Sequence, residues 1–240
     1  MSTVAGPPLR VELLDGPSGG RFGQITLQRP HRAHAYDRAT LLALREARAA
    51  LEAEVHVVVL CADGDGAFCA GADREALAAA SPVDALDLLS QRVFDELARS
   101  PMVSVAAVHG PAVAGGCELA LACDLRVIGP RARFSLPETG LGLVPAAGGC
   151  TRLARLVGGS LARDVILGGA TIDADRAAQA GLGRGPVNDP RAAARALAGQ
   201  LCQRDPVALR LAKLILDGDG GAASLSLERV AEALLYSRRP

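Results

Sequence analysis

The stretch AAVHGPAVAGGCELALACD, residues 106–124, decides the fold of this 240-residue chain. The apolar run Val103–Val108 predicts a buried strand, the small residues that follow predict a turn, and residues 117–123 favour a helix. The first amides of a helix lack internal partners and lie at the positive end of its dipole. A developing oxyanion could meet such an amide here, beside Glu118 in the first turn. Helix capping explains an acidic residue at this position equally well.

Two further stretches combine small residues with a carboxylate. The sequence AFCAGAD, residues 67–73, follows another apolar run and offers free amides at Gly71 and Ala72. The sequence FSLPETGLGLVPAAGG, residues 134–149, supplies Glu138, twenty residues after the first carboxylate. Amides that hold an oxyanion and carboxylates that move protons suit enolate chemistry. Taken singly, each turn is equally typical of a tight connection without a ligand, and Glu138 alone is more typical of a surface turn.

Composition argues against several classes of function. The 26 basic residues balance the 26 acidic ones, so no charge excess favours nucleic acid or an anionic membrane surface. The sequence has no apolar signal core and no run that could span a bilayer, and we therefore expect a soluble cytoplasmic protein. Its six cysteines show no CxxC spacing, so we expect reduced thiols and no metal site. Lys213, the only lysine, lies in an ordinary helical pattern, which argues against Schiff-base chemistry.

The order of the predicted elements indicates an α/β protein with helices gathered towards its end. Strands are predicted at residues 9–14, 22–27, 55–61, 103–108 and 125–128. Helices separate them, including one that Asp37 could cap and one at residues 83–99. After residue 149 the pattern is mainly helical, with a short strand near residues 182–187. We therefore predict an α/β core over residues 1–180 and a helical region over residues 181–240.

In this order and spacing, the three stretches resemble the signatures of the enoyl-CoA hydratase/isomerase family, also called the crotonase family. The resemblance runs from about residue 9 to about residue 237. It implies a crotonase-type α/β fold, a layered ββα core with a C-terminal helical region. In that family the helical region packs on neighbouring chains, which implies a homotrimer or a dimer of trimers. Because the sequence ends at Pro240, we expect this region to be shortened at its end.

The resemblance implies a hydro-lyase of fatty acid metabolism that adds water across the C2–C3 double bond of an enoyl thioester, or catalyses the reverse dehydration. The backbone N–H groups of Ala72 and Gly115 would form an oxyanion hole. Glu118 would act chiefly as the base, and Glu138 would deliver the proton to C2. No cofactor is implied beyond the coenzyme A of an acyl-CoA substrate, and an acyl group on a carrier protein is the alternative.

The resemblance also implies eight substrate-binding residues, which are His31, Arg32, Ala35, Ala70, Gly71, Asp73, Arg74 and Ala146. Some positions depart from the family's pattern, because Glu75 stands where a basic residue is common and His34 where asparagine is usual. Arg32 or Arg74 could still meet the phosphates of coenzyme A. The thinner set of positive charges keeps other crotonase-fold reactions open, namely double-bond isomerisation, decarboxylation or thioester hydrolysis. A non-catalytic oligomeric scaffold is a third hypothesis, against which the two glutamates argue.

Overall fold

The computed structural model describes residues 7–16, 19–79, 81, 83, 87–218 and 220–238. Its strands are β1 (Leu9–Asp15), β2 (Arg21–Leu27), β3 (Val57–Ala62), β4 (Val103–Val108), β5 (Pro111–Val113), β6 (Leu125–Ile128), β7 (Arg133–Ser135) and β8 (Ile172–Asp173). Its helices are α1 (Arg38–Glu52), α2 (Arg74–Ala79), α3 (Leu89–Ala98), α4 (Gly115–Ala122), α5 (Gly149–Val157), α6 (Gly159–Ile166), α7 (Ala174–Gln179), α8 (Pro190–Leu201), α9 (Pro206–Leu216) and α10 (Ala222–Ser237).

The main sheet has the strand order β1-β2-β3-β4-β6, in which β1 and β2 are antiparallel and the other pairs are parallel. Every residue of β3 and β4 is buried, as expected for central parallel strands covered on both faces. Helix α8 packs on one face, while α1, α3 and α4 contribute to the apolar core on the other. The layered α/β architecture predicted from the sequence is confirmed.

A second, smaller sheet has the order β5-β7-β8 and lies beside the turn that leads into α4. Strand β5 pairs in parallel with β7, and β7 pairs antiparallel with β8. The sequence analysis predicted a turn at β5, because a strand of three residues is too short to show a period of two. This sheet fixes the direction from which the chain enters α4.

Two predicted elements differ in the structure. The helix predicted at residues 83–99 is interrupted at Leu88, which has φ 28°, and continues from Leu89 as α3; Val83 and Asp87 are helical, and residues 84–86 lie outside the described residues. The strand predicted at residues 182–187 was wrong, since only an isolated bridge joins Arg184 to Val127. Pro186 has no N–H to extend that pairing, and glycines interrupt the segment. The predicted cap on α1 is confirmed, because Asp37 accepts a hydrogen bond from Thr40 N at 2.8 Å.

The only lysine anchors a late helix to the sheet. Lys213 on α9 donates to the carbonyl of Met102 at 2.8 Å and to the Asp124 carboxylate at 2.9 Å. The same carboxylate oxygen accepts from Ser104 N at 2.7 Å. Helix α9 therefore contacts the sheet, as α8 does. The predicted boundary between an α/β core and a helical region at residue 180 stays a prediction. None of the helices in the described ranges is long and apolar enough to cross a bilayer.

Candidate active site

The first turn of α4 packs closely against residues 67–73, in the loop that follows β3. Ala114 joins β5 to α4 with φ 52°, a strained value for a residue with a Cβ. A Cβ on Gly116 would lie 2.0 Å from the carbonyl oxygen of Cys69, and no neighbour could move far enough to accept it. The first turn of α4 therefore requires glycine, because the backbone of residues 67–73 occupies the space of a side chain.

The 67–73 loop is held by backbone hydrogen bonds on both sides. On one side, Val113 N in β5 donates to the carbonyl of Cys69 at 2.9 Å. On the other, Tyr36 N donates to the carbonyl of Gly71 at 2.8 Å, and Asp73 N donates to the carbonyl of Tyr36 at 2.8 Å. A connection that would otherwise be mobile is thus fixed between β5 and the segment before α1.

The two amides predicted to hold an oxyanion are uncommitted and lie in adjacent turns. Ala72 is the central residue of the bridge to Tyr36, so its own N–H points away from that partner. Gly115 is the first residue of α4, and its N–H has no partner within the helix. No described residue accepts a hydrogen bond from either amide. A Cβ on Gly71 would lie 3.0 Å from Gly115 N, which shows that the two turns touch.

Glu118 is buried in the first turn of α4 and is held by the segment where the chain enters α5. Its Oε1 accepts hydrogen bonds from Ala147 N at 2.7 Å and from Gly149 N at 2.8 Å. Burial raises the pKa of this carboxyl to about 7; the Gly149 amide lowers it, and the nearby charge of Glu138 raises it again. A carboxyl with a pKa near neutrality can gain and lose a proton at physiological pH.

Glu138 supplies the second carboxyl of the site. It begins a short 3-10 helix, Glu138–Leu141, and is 8% exposed. Its Oε2 is buried and has no hydrogen-bond partner among the described residues, and burial raises the pKa of the group. Two neighbouring carboxyls in one buried site do not ionise independently, so they are expected to share a proton near neutral pH.

The charged residues predicted to bind substrate are engaged elsewhere or lie on the surface. Asp73 is 6% exposed and accepts a hydrogen bond from the Arg29 guanidinium at 3.2 Å. Arg32 forms an ion pair with Glu75 at 3.0 Å. His31 and Arg74 are exposed. Glu75, which departs from the family's pattern, therefore also neutralises a neighbouring arginine.

The small residues of the predicted set lie close to the two amides and the two carboxyls. Ala35 precedes the bridge residue Tyr36, and Ala70 and Gly71 belong to the fixed 67–73 loop. Ala146 precedes the amides that hold Glu118, and its carbonyl accepts a hydrogen bond from Gln91 of α3 at 2.7 Å. The structure thus brings these residues together, while His31, Arg32 and Arg74 lie at an exposed edge.

Sequence reasoning missed two side chains that support the site. Arg152 of α5 donates to the carbonyl of Ala147 at 2.9 Å and so supports the loop that holds Glu118. Tyr36 is buried against Gly115. The position of Tyr36, directly after a predicted binding residue, was the available signal for it. Nothing in the helical pattern around Arg152 distinguished it from a surface arginine. No cluster of metal-ligating side chains occurs in the described part of the chain.

We expect Glu118→Gln to stabilise the fold above neutral pH. The pKa of Glu118 is raised to about 7 in the folded protein from an ordinary 4.5, so between these values the folded chain keeps a proton that the unfolded chain loses. The stability due to this group is therefore complete below the ordinary pKa and is lost as pH rises through the folded pKa. Glutamine stays neutral and can still accept from both amides. At about pH 9 the variant should gain up to about 3 kcal/mol, and at about pH 4 almost nothing.

Chemical denaturation at several pH values measures this difference. Glu54→Gln is the matched control, since Glu54 is exposed and its replacement should change stability little at any pH. A Glu118→Gln variant that matched the parent protein over the whole range would show that burial does not hold this carboxyl in its neutral form.

Comparisons with known proteins show the family and the fold of this chain. The chain matches the enoyl-CoA hydratase/isomerase family over residues 20–236. It is 34% identical over 200 residues to the short-chain-enoyl-CoA hydratase of Clostridium acetobutylicum, covering 81% of this chain and 77% of that protein. Its structure is similar to that of DspI from Pseudomonas aeruginosa, with a TM-score of 0.89, 32% identity and 99% of both chains covered. It is also similar to a Thermobifida fusca protein solved in complex with acetoacetyl-CoA, with a TM-score of 0.84, 33% identity, and 97% of this chain and 96% of that one covered. The chain therefore belongs to the enoyl-CoA hydratase/isomerase family and has the predicted crotonase fold.

Proposed function

We propose that this protein is an enoyl-CoA hydratase, which adds water across the C2–C3 double bond of an enoyl-CoA thioester or removes it in reverse. The observation that carries the proposal is a single arrangement. Two carboxyls with raised pKa values, Glu118 and Glu138, share a buried site at the start of α4. The uncommitted amides of Ala72 and Gly115 lie in the two turns that meet there.

In this proposal the thioester carbonyl oxygen binds between the N–H groups of Ala72 and Gly115. When water attacks C3, electron density moves through C2 to this oxygen, and an enolate forms. Two fixed N–H donors stabilise that charge without having to reorient, which is more effective in a buried site than in water. The Gly115 amide also lies at the positive end of α4, whose dipole favours a negative charge.

The two glutamates account for both proton transfers. Ionised Glu118 takes a proton from the attacking water as the new C3–O bond forms. Protonated Glu138 gives its proton to C2, where the enolate electrons form the C–H bond. The pair begins and ends with one proton in total, and transfer of that proton from Glu118 back to Glu138 after the product leaves restores the starting state. The raised pKa values of the two groups suit this exchange near neutral pH.

We expect Glu118→Gln and Glu138→Gln each to lower kcat for hydration of a short enoyl-CoA by roughly 10²–10⁴-fold, as loss of a general acid or base usually does. In the parent protein, kcat/KM should fall below about pH 7, because the Glu118 base is then protonated. Loss of absorbance of the conjugated thioester measures the rate. Glu54→Gln, on the surface, is the matched control. Near-normal turnover in either active-site variant would remove that residue from the mechanism.

A substrate on an acyl carrier protein is the second candidate, and one observation favours it. Arg32, a predicted phosphate contact, is neutralised by Glu75 at 3.0 Å. Each charge-assisted contact to a phosphate contributes to the affinity for coenzyme A, so the loss of one such contact weakens binding of the nucleotide. A thioester presented on a carrier's pantetheine arm would not need these nucleotide contacts.

We expect free coenzyme A to bind weakly and Glu75→Gln to strengthen its binding several-fold, because the change frees Arg32. Calorimetric titration at low and moderate salt measures both affinities, with Glu54→Gln as a matched loss of an exposed negative charge. Tight, salt-dependent binding in the parent protein would show that other arginines contact the phosphates. Weak binding together with good activity on a pantetheine thioester would favour the carrier-bound substrate.

We also propose that the chain forms a homotrimer or a dimer of trimers. Helices α9 and α10 expose apolar side chains, and Leu216 is 83% exposed. Other exposed members of this surface are Leu225, Val230 and Leu234. Large apolar side chains are costly to leave in water, and packing against neighbouring chains would bury them. Light scattering at micromolar concentration should give three or six times the chain mass, and a monomer would refute the proposal. The cytoplasmic location expected from the sequence stays a prediction.

A further inference from the structure

Tyr36 is bonded through its backbone to the segment that carries one of the two uncommitted amides. Its N–H donates to the carbonyl of Gly71, and its carbonyl accepts from Asp73 N, both at 2.8 Å. These two bonds flank Ala72 on either side. The direction of the Ala72 N–H is therefore set by the position of the Tyr36 backbone.

The side chain of the same residue reaches the segment that carries the other amide. A Cβ on Gly115 would lie 1.9 Å from the Tyr36 hydroxyl oxygen and 2.8 Å from its ring Cζ. The hydroxyl thus occupies the space that a side chain at Gly115 would need, in contact with the backbone at the first residue of α4. Tyr36 therefore contacts both segments that carry the uncommitted amides.

Helix α3 holds this side chain in place. The Tyr36 ring packs edge-on against Phe94, with centroids 5.6 Å apart and an interplanar angle of 88°. The Ser90 side chain lies near the hydroxyl, and Tyr36 is only 8% exposed. Burial raises the pKa of the hydroxyl, and the charges of Cys69, Glu118 and Glu138 act in the same direction. The group is therefore a neutral and well-packed spacer at neutral pH.

We propose that Tyr36 is a positioning residue for the oxyanion hole, which sets the separation of the Ala72 and Gly115 N–H groups. This inference rests on the proposed function. An oxyanion is stabilised only when each donor lies about 2.7–3.1 Å from it, so a small shift of α4 weakens one of the two bonds. Removing the hydroxyl leaves a gap against Gly115 into which the start of α4 can relax. Because charge on the oxygen is greatest in the transition state, the loss falls on kcat more than on KM.

The test is Tyr36→Phe, which removes only the hydroxyl. We expect kcat for enoyl-CoA hydration to fall about tenfold, less than the 10²–10³-fold that follows loss of a whole donor, with KM nearly unchanged. A second readout is ligand binding. Acetoacetyl-CoA can bind as an enolate with charge on the thioester oxygen, whereas butyryl-CoA cannot. The variant should bind acetoacetyl-CoA more weakly by a factor similar to its loss in kcat, and butyryl-CoA as well as the parent protein does.

Two further variants separate positioning from general damage to the fold. Ser90→Ala removes the polar side chain near the hydroxyl and should cause a smaller loss of kcat. Combined with Tyr36→Phe it should add nothing, because Ser90 acts through that hydroxyl. Tyr236→Phe removes a hydroxyl from the exposed face of α10 and is the matched control. Thermal unfolding checks that each variant is folded.

Unchanged kcat in folded Tyr36→Phe, or equal weakening of both ligands, would overturn the inference. The ligand comparison also separates it from the proposed function. A parent protein that binds acetoacetyl-CoA without hydrating enoyl-CoA would refute the hydratase assignment, while the two affinities would still decide the role of Tyr36. A parent protein that neither hydrates nor binds these thioesters would refute both.

Discussion

The contact between two glycine-rich turns is the constraint on which the rest of this structure depends. Gly116 at the start of α4 lies against the carbonyl of Cys69, and Gly71 lies against Gly115 N. A Cβ at Gly115 or Gly116 would collide with a neighbouring residue, so the two turns could not approach. This approach creates the site, because it brings together the amides of two loops that leave the sheet at neighbouring strands, β3 and β4. In parallel sheets, sites form at this edge for the same reason.

The same closeness sets the electrostatics of the site. Packing the turns together excludes water from Glu118, and burial raises the pKa of that carboxyl to about 7. The amides of Ala147 and Gly149, where the chain enters α5, offset part of the cost by donating to its Oε1. Arg152 supports that segment from α5 through the carbonyl of Ala147. Glu118 is thus suited to proton transfer because burial disfavours its charged form. The surrounding hydrogen bonds hold the carboxyl in place.

Most of the fold and the centre of the site could be predicted from the sequence, but the edge of the site could not. The buried strands, the glycine turns and Glu118 carry local signals, namely apolar runs, missing side chains and a carboxylate in a first turn. The three-residue strand β5 carries no such signal, and the strand predicted at residues 182–187 is reduced to an isolated bridge at Arg184 because glycines and Pro186 interrupt the segment. The partners of Arg32 and Tyr36 depend on contacts between segments distant in the chain, which no local pattern records.

The relative positions of the two amides and the two carboxyls are fixed to different degrees. Gly115 and Glu118 lie three residues apart on α4, so the helix itself fixes the position of the carboxyl relative to the amide. Ala72 and Glu138 come from separate segments, and their positions relative to α4 depend on side chains and loops that pack between elements. Tyr36 occupies the place where the Ala72 segment meets α4. Variation among proteins with this arrangement should therefore alter the positions of Ala72 and Glu138, while the spacing between the Gly115 amide and the Glu118 carboxyl along α4 stays constant.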